Sequence, residues 1–307
     1  MPRDEKESTQ NMNMQPCEDL MTTAEVAEYL RLGERKVYEL VRERVIPCVR
    51  VTGKLLFPRQ AIDLWLMNHL ESQDRVVRDA PAVVAGSHDP LLEWAVRESG
   101  SDLALLLNGS VDGVRRLLAN EAQVIGFHLI HEDGSWNNPA HCGLGGLRDL
   151  VTVEWATRTQ GLIVASGNPR EIGDVRTLAN PGIRVLRRQQ DAGADVLLRA
   201  LLTQAGVALE DVHALEHCAL THDDLALEVL RGGADCGLGV EAAARRHGLD
   251  FVPVCQERFD LGMRRRTYFQ PQLQTLLRFA KTERFRSRAE SLGGYDLTGH
   301  GQVRYNA

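Results

Sequence analysis

MTTAEVAEYLRLGERKVYELVRERVIPCVRVTGKLLFPRQAIDLWLMNHL, from Met21 to Leu70, carries signals for two short helices, a hairpin and a closing helix in that order. Thr22 or Thr23 can cap a first helix whose apolar face is Val26, Ala27 and Leu30, with Glu25 in the first turn where the helix dipole favours it. Gly33, after Arg31 and Leu32, is expected to supply a permissive backbone for the turn. A second helix follows over Glu34 to Arg42, with Val37, Leu40 and Val41 facing inward. Arg35, Lys36, Tyr38, Glu39 and Arg42 are left outside. Ile46 to Val51 and Leu55 to Pro58 flank a turn at Thr52, Gly53 and Lys54 and read as a hairpin. Pro58 or Arg59 then opens an amphipathic helix through Ala61, Ile62, Trp65 and Leu66.

The charge follows this pattern. The whole chain of 307 residues has a formal net charge of −6. Between Arg31 and Arg59, however, eight basic residues stand against three acidic ones. Arg35, Lys36, Tyr38, Arg42, Arg50 and Lys54 are therefore the candidates for contacts with phosphates and base edges of double-stranded DNA. A helical hairpin used only for protein contact is the competing reading. The complete order of helix, turn, helix, hairpin and helix favours DNA.

Thr22–Leu30, Val37-Tyr38, Ile46–Arg50, Phe57-Pro58 and Ala61–Leu66 resemble the excisionase and MerR type of winged helix-turn-helix. The hairpin would be the wing and the second helix the recognition helix. Gly33-Glu34 departs from the family, which usually has a Ser or Asn cap followed by a small or basic residue there.

Beyond Pro81 the chain alternates between strand and helix signals. Strands are expected at Ala82–Ala85, Leu103–Leu107, Gln123–His128, Leu162–Ala165, Ile183–Leu186 and Ala234–Gly239. Helices are expected at Asp89–Glu98, Val111–Ala119, Ala194–Gln204 and Asp223–Leu230. This pattern predicts an α/β domain on a parallel sheet, with function in the loops that leave the strands. Ser87, His88 and Asp89, then Asn108, Gly109 and Ser110, then Thr221 and His222, place polar groups beside helix N-termini. Such positions suit an oxyanion or carboxylate, although plain N-capping explains any one of them. His128 ends one of the strands.

Gly86–Pro90, Gly109-Ser110, Gly126–Leu129, Asn138-Pro139, Gln160–Leu162, Gly167–Pro169, Thr221-His222, Gly233–Gly239, Leu249–Pro253 and Glu257–Leu261 resemble a periplasmic-binding-protein-like sensor domain related to molybdate-binding proteins. The resemblance implies two lobes, the chain crossing near Gln160-Gly161 and returning near Val252 to Glu257. Molybdate or tungstate would be the ligand, with a small carboxylate as the alternative. Where the family commonly has hydroxyls and a terminal Arg, this chain has Arg187–Asp195, leaving Arg188 and Gln189 as possible ligand contacts.

The expected organisation is a flexible N-terminus over 1–20, a DNA-binding domain over 21–70, a linker over 71–80 and a two-lobed sensor over 81–307, its second lobe about 161–252. No signal-like segment or apolar run of ~20 residues occurs, so a cytoplasmic protein away from the membrane is expected. Six cysteines without a C-x-x-C pair argue against a zinc ribbon or disulfide framework. A metal set from His141-Cys142 and His217-Cys218 is set aside, because adjacent strand residues point to opposite faces. No metal or cofactor is expected. Ser87-His88-Asp89 holds the residue types of a hydrolase triad, but consecutive residues cannot form its hydrogen-bond chain, so no enzyme is expected. The alternatives are a large domain that serves only dimerisation, or an enzyme using the cleft. A homodimer is expected in either regulatory case.

Overall fold

The computed structural model describes residues 20–43, 45–51, 53–68 and 80–307. The expected flexible N-terminus and linker fall outside these residues except for Leu20 and Ala80. The chain divides into two compact units, Met1–Val77 and Arg78–Ala307.

The first unit contains β1 (Leu20–Met21), α1 (Thr23–Leu30), α2 (Glu34–Arg42), β2 (Val49–Val51), β3 (Lys54–Pro58) and α3 (Arg59–Asn68). Thr22 is the cap of α1: its hydroxyl accepts from Glu25 N at 3.4 Å, and the Glu25 carboxylate accepts from Thr22 N at 2.7 Å. This reciprocal pair satisfies two N–H groups that the helix leaves free. The turn differs from expectation. Gly33 lies at φ −74°, and the left-handed residue is Arg31, at φ 53°. The backbone reverses at the C-cap of α1, where Arg31 N–H returns to the last carbonyls of that helix. β1, too short to leave a period in the sequence, pairs with β3 opposite β2. Met21, Val26, Ala27, Val37, Ile46, Phe57 and Ile62 form the core, with Leu30, Leu40, Val41 and Trp65 packed on it. Leu66 is exposed in this unit.

The second unit runs β4 (Val83–Gly86), α4 (Pro90–Ser99), β5 (Ala104–Leu106), α5 (Ser110–Leu118), β6 (Val124–Phe127), β7 (Leu150–Val164), β8 (Val185–Arg188), α6 (Gly193–Ala205), β9 (Ala214–Ala219), α7 (His222–Leu230), β10 (Cys236–Val240), α8 (Glu241–Arg246) and β11 (Asp250–Arg264). It ends with α9 (Arg265–Tyr268), α10 (Pro271–Phe279), α11 (Glu283–Leu292), β12 (Tyr295–Asp296) and β13 (Val303–Asn306). One sheet has the order β5-β4-β6-β11-β7-β10-β8-β9, with β12 and β13 also paired to β7.

The sheet is mixed, not parallel as expected. β4, β5 and β6 are parallel to one another, as are β8, β9 and β10, but β11 runs antiparallel to β6 and β7, and β7 antiparallel to β10. The cause is the pair β7 and β11, each of 15 residues. At about 3.3 Å per residue each spans roughly 50 Å, enough to pass from a lobe built on β4–β6 to one built on β8–β10. The sequence showed only the last residues of β7 as a strand, because Glu154, Thr157, Arg158, Thr159 and Gln160 interrupt its apolar run.

The C-terminal segment packs back on the first lobe. Trp94 of α4 meets Phe279 of α10 with ring centroids 5.4 Å apart, and Trp155 meets Phe285 of α11 edge to face at 5.1 Å. This packing brings Tyr295 to the start of α4.

Candidate functional site

In the first unit, all six residues expected to meet DNA are exposed, and Tyr38 is 51% so. Val37 is fully buried beneath them, which fixes the outward face of α2. Glu39 draws on two of the cations: Lys36 Nζ lies 3.1 Å and Arg35 Nε 3.8 Å from its carboxylate. Exposed pairs of this kind are weak and readily exchanged for phosphate. α1 and α3 are tied by the Tyr29 hydroxyl, which donates to Asp63 at 2.6 Å, while Arg59 lies over the Tyr29 ring.

In the second unit the two lobes approach each other where β4, β6 and β8 end. Gly109, at φ 115°, is so close to the opposite lobe that a Cβ would meet Asp191 O at 2.5 Å. A Cβ on Gly193 would likewise meet His128 O at 2.5 Å. Val111 N donates to Asp191 O, and the Gln189 amide reaches Asn108 O. Asn108 is exposed and marks the mouth.

Behind this mouth Ser87, His88, His128, Arg188 and His222 are all buried. His128 Nε2 and Ser87 Oγ are 2.9 Å apart, and Ser110 Oγ accepts from His128 N. His88 Nε2 lies 3.0 Å from Glu93, and the His88 and His222 rings are 6.0 Å apart. The Nδ1 atoms of His88 and His222 are buried without a hydrogen-bond partner. Such atoms cost on the order of 1–3 kcal/mol each unless something pairs with them.

Beneath this group sits an ion network in which Asp89 joins residues that no local sequence signal marks as part of the site. Arg158 of β7 is fully buried between two carboxylates. Its Nη1 donates to Asp89 Oδ2 at 2.9 Å and its Nε to Glu257 Oε1 at 2.7 Å, with Nη2 also on Glu257. Asp89 further accepts from Tyr295 Oη at 2.7 Å, Leu92 N at 2.6 Å and Trp155 Nε1 at 3.2 Å. Gln160 Nε2 donates to Glu257 Oε1. Asp89 is thus both the N-cap of α4 and the counterion of Arg158, with its lone pairs engaged. Thr221 forms a capping box with Asp224. Gln160 and Glu257 belong to the stretches that carry the family resemblance. The sequence signal for Arg158 was a lone cation in a β-branched run.

The electrostatics separate the two arginines. Burial lowers His128 and moves His222 well down, with Arg188 adding to the effect on both, so both rings are neutral near pH 7. Burial would raise Glu257, but Arg158 and His128 prevail and hold it at about 2. His128 Nδ1 is 2.5 Å from Glu257 Oε2, a distance suited to a hydrogen bond but without its alignment. Arg188 is lowered to about 10 by burial and by Arg158, against an opposing effect of the Asp224 charge, and stays charged. Its Nε donates to Ala219 O at 3.0 Å and to Gln189 Oε1 at 3.3 Å, and its Nη2 to Leu220 O at 2.6 Å. Among the described residues it forms no ion pair. Arg158 is neutralised in place; Arg188 is the cation the cleft retains.

A pH dependence follows. Glu257 titrates below its unfolded value of about 4.5, so the stability it contributes is fully present above that pH and is lost as pH falls toward about 2. In E257Q the decline of unfolding free energy over this window is expected to be shallower than in the parent chain. Denaturant titrations at stepped pH measure it, and identical acid limbs would exclude Glu257 as a source of acid sensitivity.

Residues 93–281 match the family model of the PBP superfamily domain, and residues 20–69 match that of a helix-turn-helix domain. The chain belongs to the PBP superfamily and carries an N-terminal helix-turn-helix, the architecture of a DNA-binding regulator with a ligand-binding domain. Among curated proteins it is similar to uncharacterized protein YvgK of Bacillus subtilis (strain 168), 25% identical over 300 residues that cover 92% of this chain and 96% of the relative. Similar solved structures include an ABC-type phosphate transport receptor from Vibrio cholerae, at 14% identity and TM-score 0.44, covering 69% of this chain and 98% of that one. Another is the tungstate ABC transporter from Geobacter sulfurreducens, at 11% identity and TM-score 0.49, covering 69% and 99%. No helix among the described residues is long and apolar enough to cross a membrane.

Proposed function

We propose that the chain is a cytoplasmic transcription regulator, acting as a homodimer, whose affinity for double-stranded DNA is set by a small anion bound between the lobes of its second unit. The observation that carries the ligand class is Arg188: a buried, charged guanidinium held by carbonyl oxygens and flanked by neutral His128 and His222. An anion there would supply the opposite charge and charge-assisted hydrogen bonds. Ser87, His88, Asn108, Gly109, Ser110, Gln189, Thr221 and His222 surround or edge that position, while Asp89 acts from behind through Arg158. Molybdate and tungstate come from the family resemblance, and a small carboxylate is the alternative. A ligand that bridges both lobes stabilises one lobe arrangement, and its differential affinity for that arrangement is the free energy available to regulate DNA binding. No catalytic role is assigned to the cleft.

One observation favours a second reading, an enzyme using the cleft. Ser87, His128 and Glu257 stand at 2.9 and 2.5 Å in the order of a hydrolase triad. Against it, Ser87 is only 4% exposed and the His–Glu contact is misaligned.

The test is binding of the purified chain to its own promoter region at fixed salt, with and without molybdate, tungstate and small carboxylates. Expected are specific binding altered by one of these ligands, and loss of affinity in R35A/K36A, each cation removed reducing the salt slope by about one. Binding indifferent to every ligand would leave a large domain that only dimerises. Absence of specific binding would sink the regulator reading. Ester hydrolysis abolished by S87A would favour the enzyme instead.

A further inference from the structure

The loop between β6 and β7 gathers side chains that ligate metals. His131 and His141 stack face to face, ring centroids 3.4 Å apart and planes at 18°. Asp133 adjoins them, its Oδ1 lying 3.4 Å from His131 Nδ1. One ligand atom from each of the three residues lies within 4.8 Å of the others. His217, on β9, stands apart from this group against Glu228 of α7, and the partner of His141 is His131.

The loop is braced before any ion enters. Ile130 and Trp136 form an isolated bridge, and Gly134 N donates to His131 O at 2.9 Å to close the turn. The side chain of Asn137 accepts from Leu129 N at 2.7 Å and donates to Asp260 at 2.9 Å. On the second arm, Asn138 O accepts from His141 N at 3.0 Å and Cys142 N at 2.9 Å. These bonds fix the backbone beneath the two rings, so little ordering is left for a ligand to impose.

Beside the histidines lies a cavity of about 300 Å³, also lined by Val111, Asn138, Cys142 and Val196. Val111 belongs to α5 of the first lobe and Val196 to α6 of the second. A group held by His131 and His141 therefore stands at the edge where the lobes meet, on a different loop from Arg188.

We propose that His131, Asp133 and His141 form a site for a first-row transition dication such as Zn²⁺. Two imidazole nitrogens and one carboxylate oxygen favour Zn²⁺, Ni²⁺ or Cu²⁺ over the hard cations Mg²⁺ and Ca²⁺, which take oxygen ligands. Ligand bonds of about 2.0–2.2 Å place tetrahedral donors roughly 3.4 Å apart. Rotation of these half-buried and exposed side chains supplies the required contraction. Three protein ligands leave a fourth position, which water or a small donor would occupy.

The test uses the untagged full-length chain, stripped of metal and titrated with Zn²⁺, then with Co²⁺ as a spectroscopic probe. Expected is saturable binding of one Zn²⁺, weakened at least about tenfold in both H131A and H141A and unchanged in H217A. The visible bands of the Co²⁺ complex are expected to vanish in the same two variants. No saturable binding, or binding that survives both substitutions, overturns the proposal. The site does not rest on the regulator reading, and either can fail without the other.

Discussion

Replacing Arg158 with Met is expected to destabilise the second unit by about 3–5 kcal/mol, because Asp89 and Glu257 would be left ionised and buried without their cation. At about 2–4 °C per kcal/mol for a domain of this size, the thermal midpoint should fall by roughly 10 °C. Arg158 also lies over the Phe259 ring, 4.3 Å from its centroid, a contact Met retains as packing but not as charge. The triple variant R158M/D89N/E257Q is expected to recover much of the loss, since exchanging a buried ion set for neutral groups of similar size is far cheaper than breaking it. Differential scanning calorimetry on the parent, single and triple variants decides the matter. A single-variant loss below about 1 kcal/mol would mean that water reaches these carboxylates and that the network is not a buried foundation of the cleft.

Arg188 should separate signal from fold. In R188Q the affinity for the effective anion is expected to fall at least about 30-fold, in line with the 2–5 kcal/mol typical of truncating one member of a buried charge pair. Promoter binding without ligand should remain close to that of the parent, because the exposed cations of α2 and the hairpin are untouched. The response of DNA binding to the ligand should therefore disappear while DNA binding persists. Isothermal titration with the ligand and promoter binding with and without it read the two quantities separately. If R188Q binds the anion as tightly as the parent, the cleft cation is not the recognition element.

The first unit was largely legible in its sequence because each element is local. The Thr22 cap, the apolar spacing of Val26, Ala27 and Leu30, and the hairpin residues act over a few positions, and the exposed cations follow once the apolar faces are known. What failed there was small: Gly33 suggested the reversal, but the free backbone was needed at Arg31, where α1 ends. In the second unit the strand–turn–helix units around Gly86, Gly109 and Thr221 were visible for the same local reason. Most of β7 and all of β11 were not, since polar and charged residues such as Glu154, Arg158, Glu257 and Asp260 interrupt their apolar runs and leave no clean period.

The sequence by itself determined the order of the two units, the winged-helix elements, the basic face of α2 and the α/β character of the rest, all consequences of short-range periodicity and capping chemistry. Only the tertiary structure decided which polar residues share a site. Arg158 and Glu257 are 99 positions apart, and Asp89 and Tyr295 are 206 apart. A charge in a strand gives no sign of its counterion, because the partner is chosen by antiparallel pairing of β7 with β11 and by the return of the C-terminal segment. The same pairing leaves Arg188 without an ion pair among the described residues, with Asp224 acting on it only through charge, and that difference between two buried arginines is set by topology rather than residue type.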